Sequence, residues 1–429
     1  MPREMKDSGI EWIGEIPNNW ILKPLKYICN LKTGSTPKNK EGITDYGDYP
    51  WITPSDLTDK YAIDKSAQYI SAVTIKKNNY HLYPKNSVLL VCIASVGKVG
   101  IITKSSYSNQ QITALKPRDN INPKFLLYCM LAGSSQLKFD ASSNVVPIVN
   151  TNYLANFSIP YTFFRTQQTI TDFLDHKCNE IDALHADIEK QIATLEDYKK
   201  SVITEAVTKG LNPDIEMKDS GSTYWNTIPN HWNLSDIKYL FEIVKRIAGK
   251  EGFDILSVTQ KGLKIKDISN NEGQIAESYA NYQFVYPNDF VMNHMDLLTG
   301  WVDCSQYFGV TSPDYRVFRL RNQANNLSYY KYVMQVCYMN KIFYSLGQGV
   351  STLGRWRLQT SSFNNFQIPV PPISEQQEIA DYLDQKTTEI DSIISAKKQQ
   401  LDVLENYKKS LIYEYVTGKK EVPSYANAE

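Results

Sequence analysis

From Gln167 to Val207 the chain carries no proline or glycine, and apolar residues return at helical spacing. Leu174, Ile181, Ile188, Leu195 and Val202 stand seven apart, a run of heptad a positions. Such a run predicts a helical rod of about 60 Å. The pattern recurs near the end as Leu383, Ile390, Lys397, Leu404 and Leu411, with one lysine in the series. A helix with a single apolar stripe must bury it, and each rod's nearest equivalent is the other. The pattern therefore predicts a two-helix coiled coil. Polar residues occupy matching d positions, Lys177 with Lys386 and Gln191 with Gln400. They either interrupt the seam and fix register or face solvent. Elsewhere VLLVCIA, Val88–Ala94, is an apolar run too short to cross a bilayer and predicts a buried strand.

The two rods belong to a larger internal repeat. MKDSGIEWIGEIPNNW, Met5–Trp20, returns as MKDSGSTYWNTIPNHW, Met217–Trp232, with 9 of 16 positions identical. The segment 159–210 returns as 368–419 with 23 identities in 52 positions. The stretches between, about 21–158 and 233–367, do not visibly match. A period near half the chain means duplicated halves rather than a solenoid. Two-fold related halves predict antiparallel rods. The expected layout is a first globular domain with its strap over 1–158, a helix over 159–211, a second globular domain with its strap over 212–367, a helix over 368–420, and a tail over 421–429. Each strap, through Ile16-Pro17-Asn18 and Trp20 or Ile228-Pro229-Asn230 and Trp232, is expected to dock its domain on its helix. Thr417-Gly418 and Lys209-Gly210 read as helix stops.

A chain of 429 residues with 42% hydrophobic and 21% charged residues is a folded multi-domain protein. No secretory segment is visible at the start, and six scattered cysteines without a CxxC pair fit a reducing compartment; the expected location is the cytoplasm. Formal net charge is zero, but its distribution is uneven. Residues 17–158 hold 16 Lys+Arg against 8 Asp+Glu, whereas 159–211 hold 6 against 9 and 368–429 hold 7 against 11. The first domain carries the surplus of cations that phosphate contacts need, and the rods are acidic. In the second domain Lys245, Arg246, Lys250, Lys261, Lys264 and Lys266 are bunched.

Motifs for chemistry are absent from the sequence. GVSTLGRW, Gly349–Trp356, has phosphate-loop glycine spacing but places Arg where Lys is required and Trp where a hydroxyl is required. Five histidines form no HExxH and no zinc-ligand spacing, so no metal site is expected. PDIEMK, Pro213–Lys218, is too cramped for a nuclease centre, and no glycine-rich turn for a methyl donor is visible.

Basic unlike regions, each followed by a long duplicated helix, resemble the specificity subunit of type I restriction–modification systems. The strings carrying the resemblance are TGSTPKNK (Thr33–Lys40), YPWITPSDL (Tyr49–Leu57), NSVLLVCIASVGKVGI (Asn86–Ile101), NQQITALKP (Asn109–Pro117), VPIVNTNYLANFSIP (Val146–Pro160) and GRWRLQTSSFNNFQIPVPPISEQQEIADYLD (Gly354–Asp384). The second region lacks the GSTP and PWITPSDL strings, as a reader of a different half-site would. The resemblance implies an α+β fold with two globular target-recognition domains separated by two long antiparallel helices that form a coiled coil, a pseudo-two-fold internal repeat. It implies a non-catalytic chain in which each domain reads half of an asymmetric bipartite site in double-stranded DNA. The paired helices would set the spacer and dock two methyltransferase subunits. S-adenosylmethionine, ATP and Mg would sit on these and on restriction subunits, none on this chain. An enzyme with an unseen motif and a two-headed protein scaffold are the competing readings.

Loops rich in Gly, Ser, Thr and Lys suit phosphates through backbone N–H groups, hydroxyls and ammonium groups. The candidates in the first domain are Thr33, Ser35, Thr36, Lys38 and Lys40, with Ser55, beside Asp56, and the turn holding Ser95 and Lys98. Asn109, Gln110 and Gln111 have amides that can reach adenine edges. In the second domain the candidates are Asn293, His294, Gln348, Ser351, Arg355 and Arg357, since Arg can fork onto guanine. Each taken singly has a plainer reading as a turn, an internal hydrogen bond or ordinary surface. Trp51 and Trp356 are expected in the core rather than stacked on a base.

Overall fold

The computed structural model describes residues 3–37, 42–58, 60–78, 80–142, 146–267, 276–349 and 356–423. The chain divides into two units, residues 1–188 with 399–429, and residues 189–398. Each unit therefore takes one globular region together with a part of both long helices, Phe164–Lys209 and Ile373–Val416.

In the first unit a five-stranded sheet runs in the order Cys29–Thr33, Ile112–Pro117, Val88–Val91, Val99–Ile102, Ala62–Ile63. The first four are antiparallel neighbours and the last is parallel to its neighbour. The apolar run at Val88 forms the expected strand, buried at all four residues. Because side chains alternate across a sheet, Val88 and Leu90 enter one core while Leu89 and Val91 enter another. Helix Pro123–Ala132 covers the first of these faces. It starts where Asn122 accepts from the N–H groups of Lys124 and Phe125, with proline in the first turn, where a missing N–H goes unmissed. A second sheet joins Tyr107–Ser108, Tyr49–Ile52, Tyr69–Ile70 and Ile43–Thr44.

The second unit is built on a sheet in the order Phe241–Val244, Arg316–Leu320, Phe290–Met292, Val302–Cys304, antiparallel throughout. This is the order of the first unit's leading four strands, although the two sequences do not visibly match. Its faces divide in the same way: Phe290 and Met292 enter the larger core and Val291 the smaller. Helix Leu327–Met339 again starts under an asparagine, Asn326, which accepts from the N–H of Tyr329.

The same hydrogen-bond clasp holds each sheet-covering helix to a long helix. In the first unit the Asn122 N–H donates to Gln167 Oε1 (2.9 Å) and its Nδ2 to Gln168 Oε1 (2.7 Å), while Tyr128 donates to Asp175 (2.7 Å). In the second, the Asn326 N–H donates to Gln376 (3.0 Å) and its Nδ2 to Gln377 (2.8 Å), while Tyr332 donates to Asp384 (2.7 Å). Gln167 and Gln376 are buried, and each also donates to a carbonyl just ahead of its helix. Satisfied buried amides of this kind fix geometry, because leaving one unpaired is expensive.

Within each unit the long helices pack antiparallel. In the first, Phe173 meets Tyr415 (centroids 4.6 Å) and Asp182 binds Lys408 Nζ (2.7 Å). In the second, Gln191 accepts from Lys397, and Lys199 Nζ binds Asp391 (2.6 Å). Asp182 and Lys199 occupy the repeat positions of Asp391 and Lys408, so one ion pair is written twice. Of the expected seam, Leu174, Ile181, Ile188, Leu383, Ile390 and Leu411 are buried, and Leu195, Val202 and Leu404 half-buried. Apart from Gln191, which Lys397 reaches across the pair, the companions of the a positions are not the d positions. They are the e positions, among them Cys178, Ile192, Ala206, Thr387, Ile394, Lys408 and Tyr415, all buried. Residues four apart stack on one face, so a and e form a continuous ridge. The d positions face outward: Leu184 is 48% exposed, Tyr198 49%, Ile393 47% and Tyr407 54%.

The second strap meets its own domain's helix as expected, with Trp232 donating to Glu375 (2.8 Å), and both straps also reach the end of the other long helix. Trp20 lies beside Gly418, the stop of the second long helix, and Trp232 beside Gly210, the stop of the first. Both glycines have φ near +73° to +74°, the left-handed conformation that ends a helix without a Cβ penalty. The second strap therefore joins the start of the long helix that follows its own domain, through Glu375, to the end of the other.

Candidate nucleic-acid interface

In the first unit three loops gather at one end of the five-stranded sheet. Strand Cys29–Thr33 ends there, strand Ile112–Pro117 begins there, and the Val88–Val91 to Val99–Ile102 hairpin turns there. The antiparallel register thus brings residues 33–36, 95–98 and 109–111 to one rim. The Gly34 N–H donates to Ile112 O (2.9 Å) and the Ser35 N–H to Ser108 O (3.2 Å). Thr36 Oγ1 donates to the Gln110 side chain, and Asn109 Nδ2 donates to Gln111 Oε1 (3.0 Å). Only glycine permits this approach: a Cβ on residue 34 would stand 2.2 Å from Asn109 O and 2.4 Å from Ser108 O.

Ser35, Thr36, Ser95, Lys98 and Gln110 are exposed on this rim, and Asn109 and Gln111 half-buried. The Cys92 N–H donates to Gln111 O (2.7 Å) and the Asn109 N–H to Ile52 O (3.2 Å), which locks the rim to both sheets. Ser55 sits in the turn after Tyr49–Ile52, where its hydroxyl meets Thr53 Oγ1 (2.8 Å). Asp56 ties that turn internally to Thr53 and Ala67, which is a structural role. Thr33 Oγ1 lies 3.0 Å from Thr113 Oγ1 and 3.3 Å from Thr151 Oγ1. No local pattern in the sequence marks Thr113 or Thr151: strand register brings Thr113 to Thr33, and Thr151 arrives at the start of helix Thr151–Asn156. Lys38 and Lys40 lie outside the described residues.

The second unit uses the corresponding end of its sheet. The loop between Phe290–Met292 and Val302–Cys304 carries Asn293 and His294. Gln348 and Arg357 exchange two backbone hydrogen bonds (3.0 and 3.1 Å), and the Leu358 N–H donates to His294 O (3.0 Å). The first unit has the counterpart of this last bond, the Val149 N–H donating to Cys92 O (2.8 Å) beside the Ile93–Ile148 bridge. Gln348 and Arg357 are exposed, Asn293 is half-buried and His294 is buried. Burial first, and then Arg316 and Arg357, depress the His294 pKa to about 3, so its ring is neutral at physiological pH. A neutral imidazole suits a hydrogen bond to a base edge better than attraction to phosphate. Its Nδ1 is buried without a partner among the described residues. Ser351 and Arg355 lie outside the described residues. Trp51 is buried as expected, but Trp356 is 39% exposed, against Tyr344, because it lies on the rim rather than under it. Arg246, from the bunched lysines and arginines, is held by Asp289 (2.6 Å) and is not available as a free cation.

Among the described residues no group of three or more His, Cys, Asp or Glu is arranged to hold a metal ion, and no helix is long and apolar enough to cross a membrane. The first rim presents amides, hydroxyls and Lys98, and the second presents Gln348, Arg357 and the neutral His294, each set at one end of a sheet.

The family model for the type I restriction modification DNA specificity domain matches twice, at residues 17–194 and 229–403. The MjaIX specificity subunit of Methanocaldococcus jannaschii is 32% identical over 179 residues, 40% of each chain. The EcoR124I/EcoR124II specificity subunit of Escherichia coli is 25% identical over 230 residues, 52% of this chain and 48% of that one. The chain thus matches these two relatives over less than half of their length. The MjaVIII specificity subunit of M. jannaschii aligns over 95% of this chain and 94% of its own, at 23% identity. A chain solved in a study of complex assembly and conformational transition of the type I R-M system superposes with a TM-score of 0.67. It covers 94% of this chain and 99% of that one at 12% identity, a likeness of fold. With two matches that together span most of its length, each enclosing one rim, the chain belongs to the type I restriction modification DNA specificity family.

Proposed function

We propose that this chain is the non-catalytic DNA-specificity subunit of a type I restriction–modification complex, acting in the cytoplasm. Each unit reads one half of an asymmetric bipartite site in double-stranded DNA. The observation that carries this reading is the pair of rims: one sheet order and one loop device, with amides and hydroxyls on the first and Arg357, Gln348 and neutral His294 on the second. A shared frame with unlike contact residues suits two readers of different sequences. The long helices act as the ruler that sets the spacer, which is left unread.

Two copies of a methyltransferase subunit dock on the outward d positions. Lys177, Leu184, Gln191 and Tyr198 on the first helix repeat as Lys386, Ile393, Gln400 and Tyr407 on the second. The same order of side chains written twice fits two identical partners. S-adenosylmethionine sits on those partners, and ATP and Mg on restriction subunits. None is assigned to this chain.

The test uses the full chain with its methyltransferase subunits on duplexes of randomised half-sites and varied spacer. Selective methylation of adenine at one two-part sequence with one spacer length is expected, with binding that weakens steeply as salt rises. Methylation indifferent to spacer length overturns the proposal. For the docking face, Tyr198→Asp with Tyr407→Asp is expected to weaken assembly at least tenfold, since a charge at the centre of an apolar contact is seldom compensated. Unchanged assembly in sedimentation would remove the d positions from the interface.

A further inference from the structure

Arg316 opens the strand Arg316–Leu320 and stands opposite Met292 in the sheet register, at the rim that carries Asn293 and His294. It is only 4% exposed. Its Nη2 donates to Leu358 O (3.1 Å) and Thr360 Oγ1 (3.4 Å), and its guanidinium lies 4.5 Å from the Phe363 ring centre. None of its contacts among the described residues is with a carboxylate. Leu358 is gripped from both sides, since its own N–H donates to His294 O (3.0 Å). The next residue back, Arg357, is the one bonded to Gln348, and the Leu297 N–H reaches Trp356 O (3.2 Å). One side chain therefore ties the sheet, the Asn293–His294 turn and the Gln348–Arg357 pair together.

For stability alone this is a poor choice. A buried cation without an anion is disfavoured, and apolar replacement of buried charges is often neutral or better. Burial holds the guanidinium pKa down to about 10, with Arg357 adding repulsion. What arginine supplies and an apolar residue does not is a planar, rigid guanidinium whose Nη2 reaches two oxygens of the 358–360 segment.

We infer that Arg316 is a positioning residue of the second reader: it holds the Gln348–Arg357 pair against the Asn293–His294 turn, so that their side chains meet the bases in a single register. This rests on the DNA-reading function proposed above. No contact of Arg316 with DNA is implied.

The experiment compares the wild-type complex with Arg316→Met, Arg316→Lys and Thr360→Val on the randomised half-site library, reading base preference at each half separately. The half that responds to Gly34→Ala identifies the first reader's half, and the other is the second's. Arg316→Met is expected to lower preference in the second half roughly tenfold or more, the scale of losing one base-pair discrimination, with the first half unaltered. Arg316→Lys keeps the charge without the planar guanidinium and recovers only part of that loss. Wild-type preference in Arg316→Met, or equal loss in both halves, overturns the inference. Should Arg316→Met fail to fold, Thr360→Val decides: a smaller loss confined to the second half supports the role, and none overturns it. A wild-type complex without any two-part preference sinks the DNA-reading proposal itself, and this inference with it.

Discussion

Gly34→Ala is expected to destabilise the first unit by about 1–3 kcal/mol and to erase base preference in one half-site while the other is still read. The Cβ of alanine would fall 2.2 Å from Asn109 O, 2.4 Å from Ser108 O and 2.5 Å from Ser108 Oγ. Two of these are backbone atoms, so no rotamer change relieves the clash. Either the end of strand Cys29–Thr33 withdraws or residues 108–109 do. Both responses break the bonds from the Gly34 N–H to Ile112 O and from the Ser35 N–H to Ser108 O that hold the rim together. Thr36 and Gln110, now bonded side chain to side chain, would separate. Thermal denaturation and half-site methylation on the randomised library measure the two effects. An unchanged melting temperature with unchanged preference would show that the two loops do not approach as described.

Trp232→Ala is expected to be the most destabilising single change in the second unit, at about 3–5 kcal/mol. Trp232 is fully buried, lies beside Gly210, where an added Cβ would stand 3.3 Å from its ring, and donates Nε1 to Glu375 Oε2 (2.8 Å). It therefore joins the strap to the end of one long helix and the beginning of the other. The duplicated Trp20 is buried to the same degree, yet its Nε1 has no partner among the described residues, because Thr166 stands at the repeat position of Glu375. The two phenylalanine variants should accordingly differ. Trp232→Phe gives up a charge-assisted hydrogen bond and should lose about 1–3 kcal/mol from that term, whereas Trp20→Phe loses packing alone. Urea denaturation of both variants measures the difference. Equal losses would show that the Glu375 bond contributes nothing.

The amino-acid sequence by itself determined the duplicated plan, the two long helices and the buried strand at Val88. These rest on local periodicity, which a chain displays before it folds. The heptad a positions, from Leu174 to Val202 and from Leu383 to Leu411, line the helix pair because one apolar residue per two turns already defines a stripe. What completes that stripe was not legible. The e positions include Cys178, Ala206, Thr387 and Lys408, which do not stand out by hydropathy, while the apolar d residues Leu184 and Ile393 drew attention and face outward. Only packing distinguishes them, since burial at e depends on where the ridge of the neighbouring helix approaches.

Tertiary structure alone decided the rims. Residues 33–36, 95–98 and 109–111 are distant in the chain and meet because antiparallel strands place every second turn at the same end of a sheet. It also decided that the two unlike regions share one strand order, which a pattern of buried alternation permits with almost any set of apolar residues. Arg316 was invisible for the same reason. In the sequence it is one arginine among several in RVFRLR, and its place under the Gln348–Arg357 pair depends on a partner segment 42 residues away. Periodicity is a property of neighbours along the chain and can be read there; which loops share a rim is a property of register, and register exists only once the strands have paired.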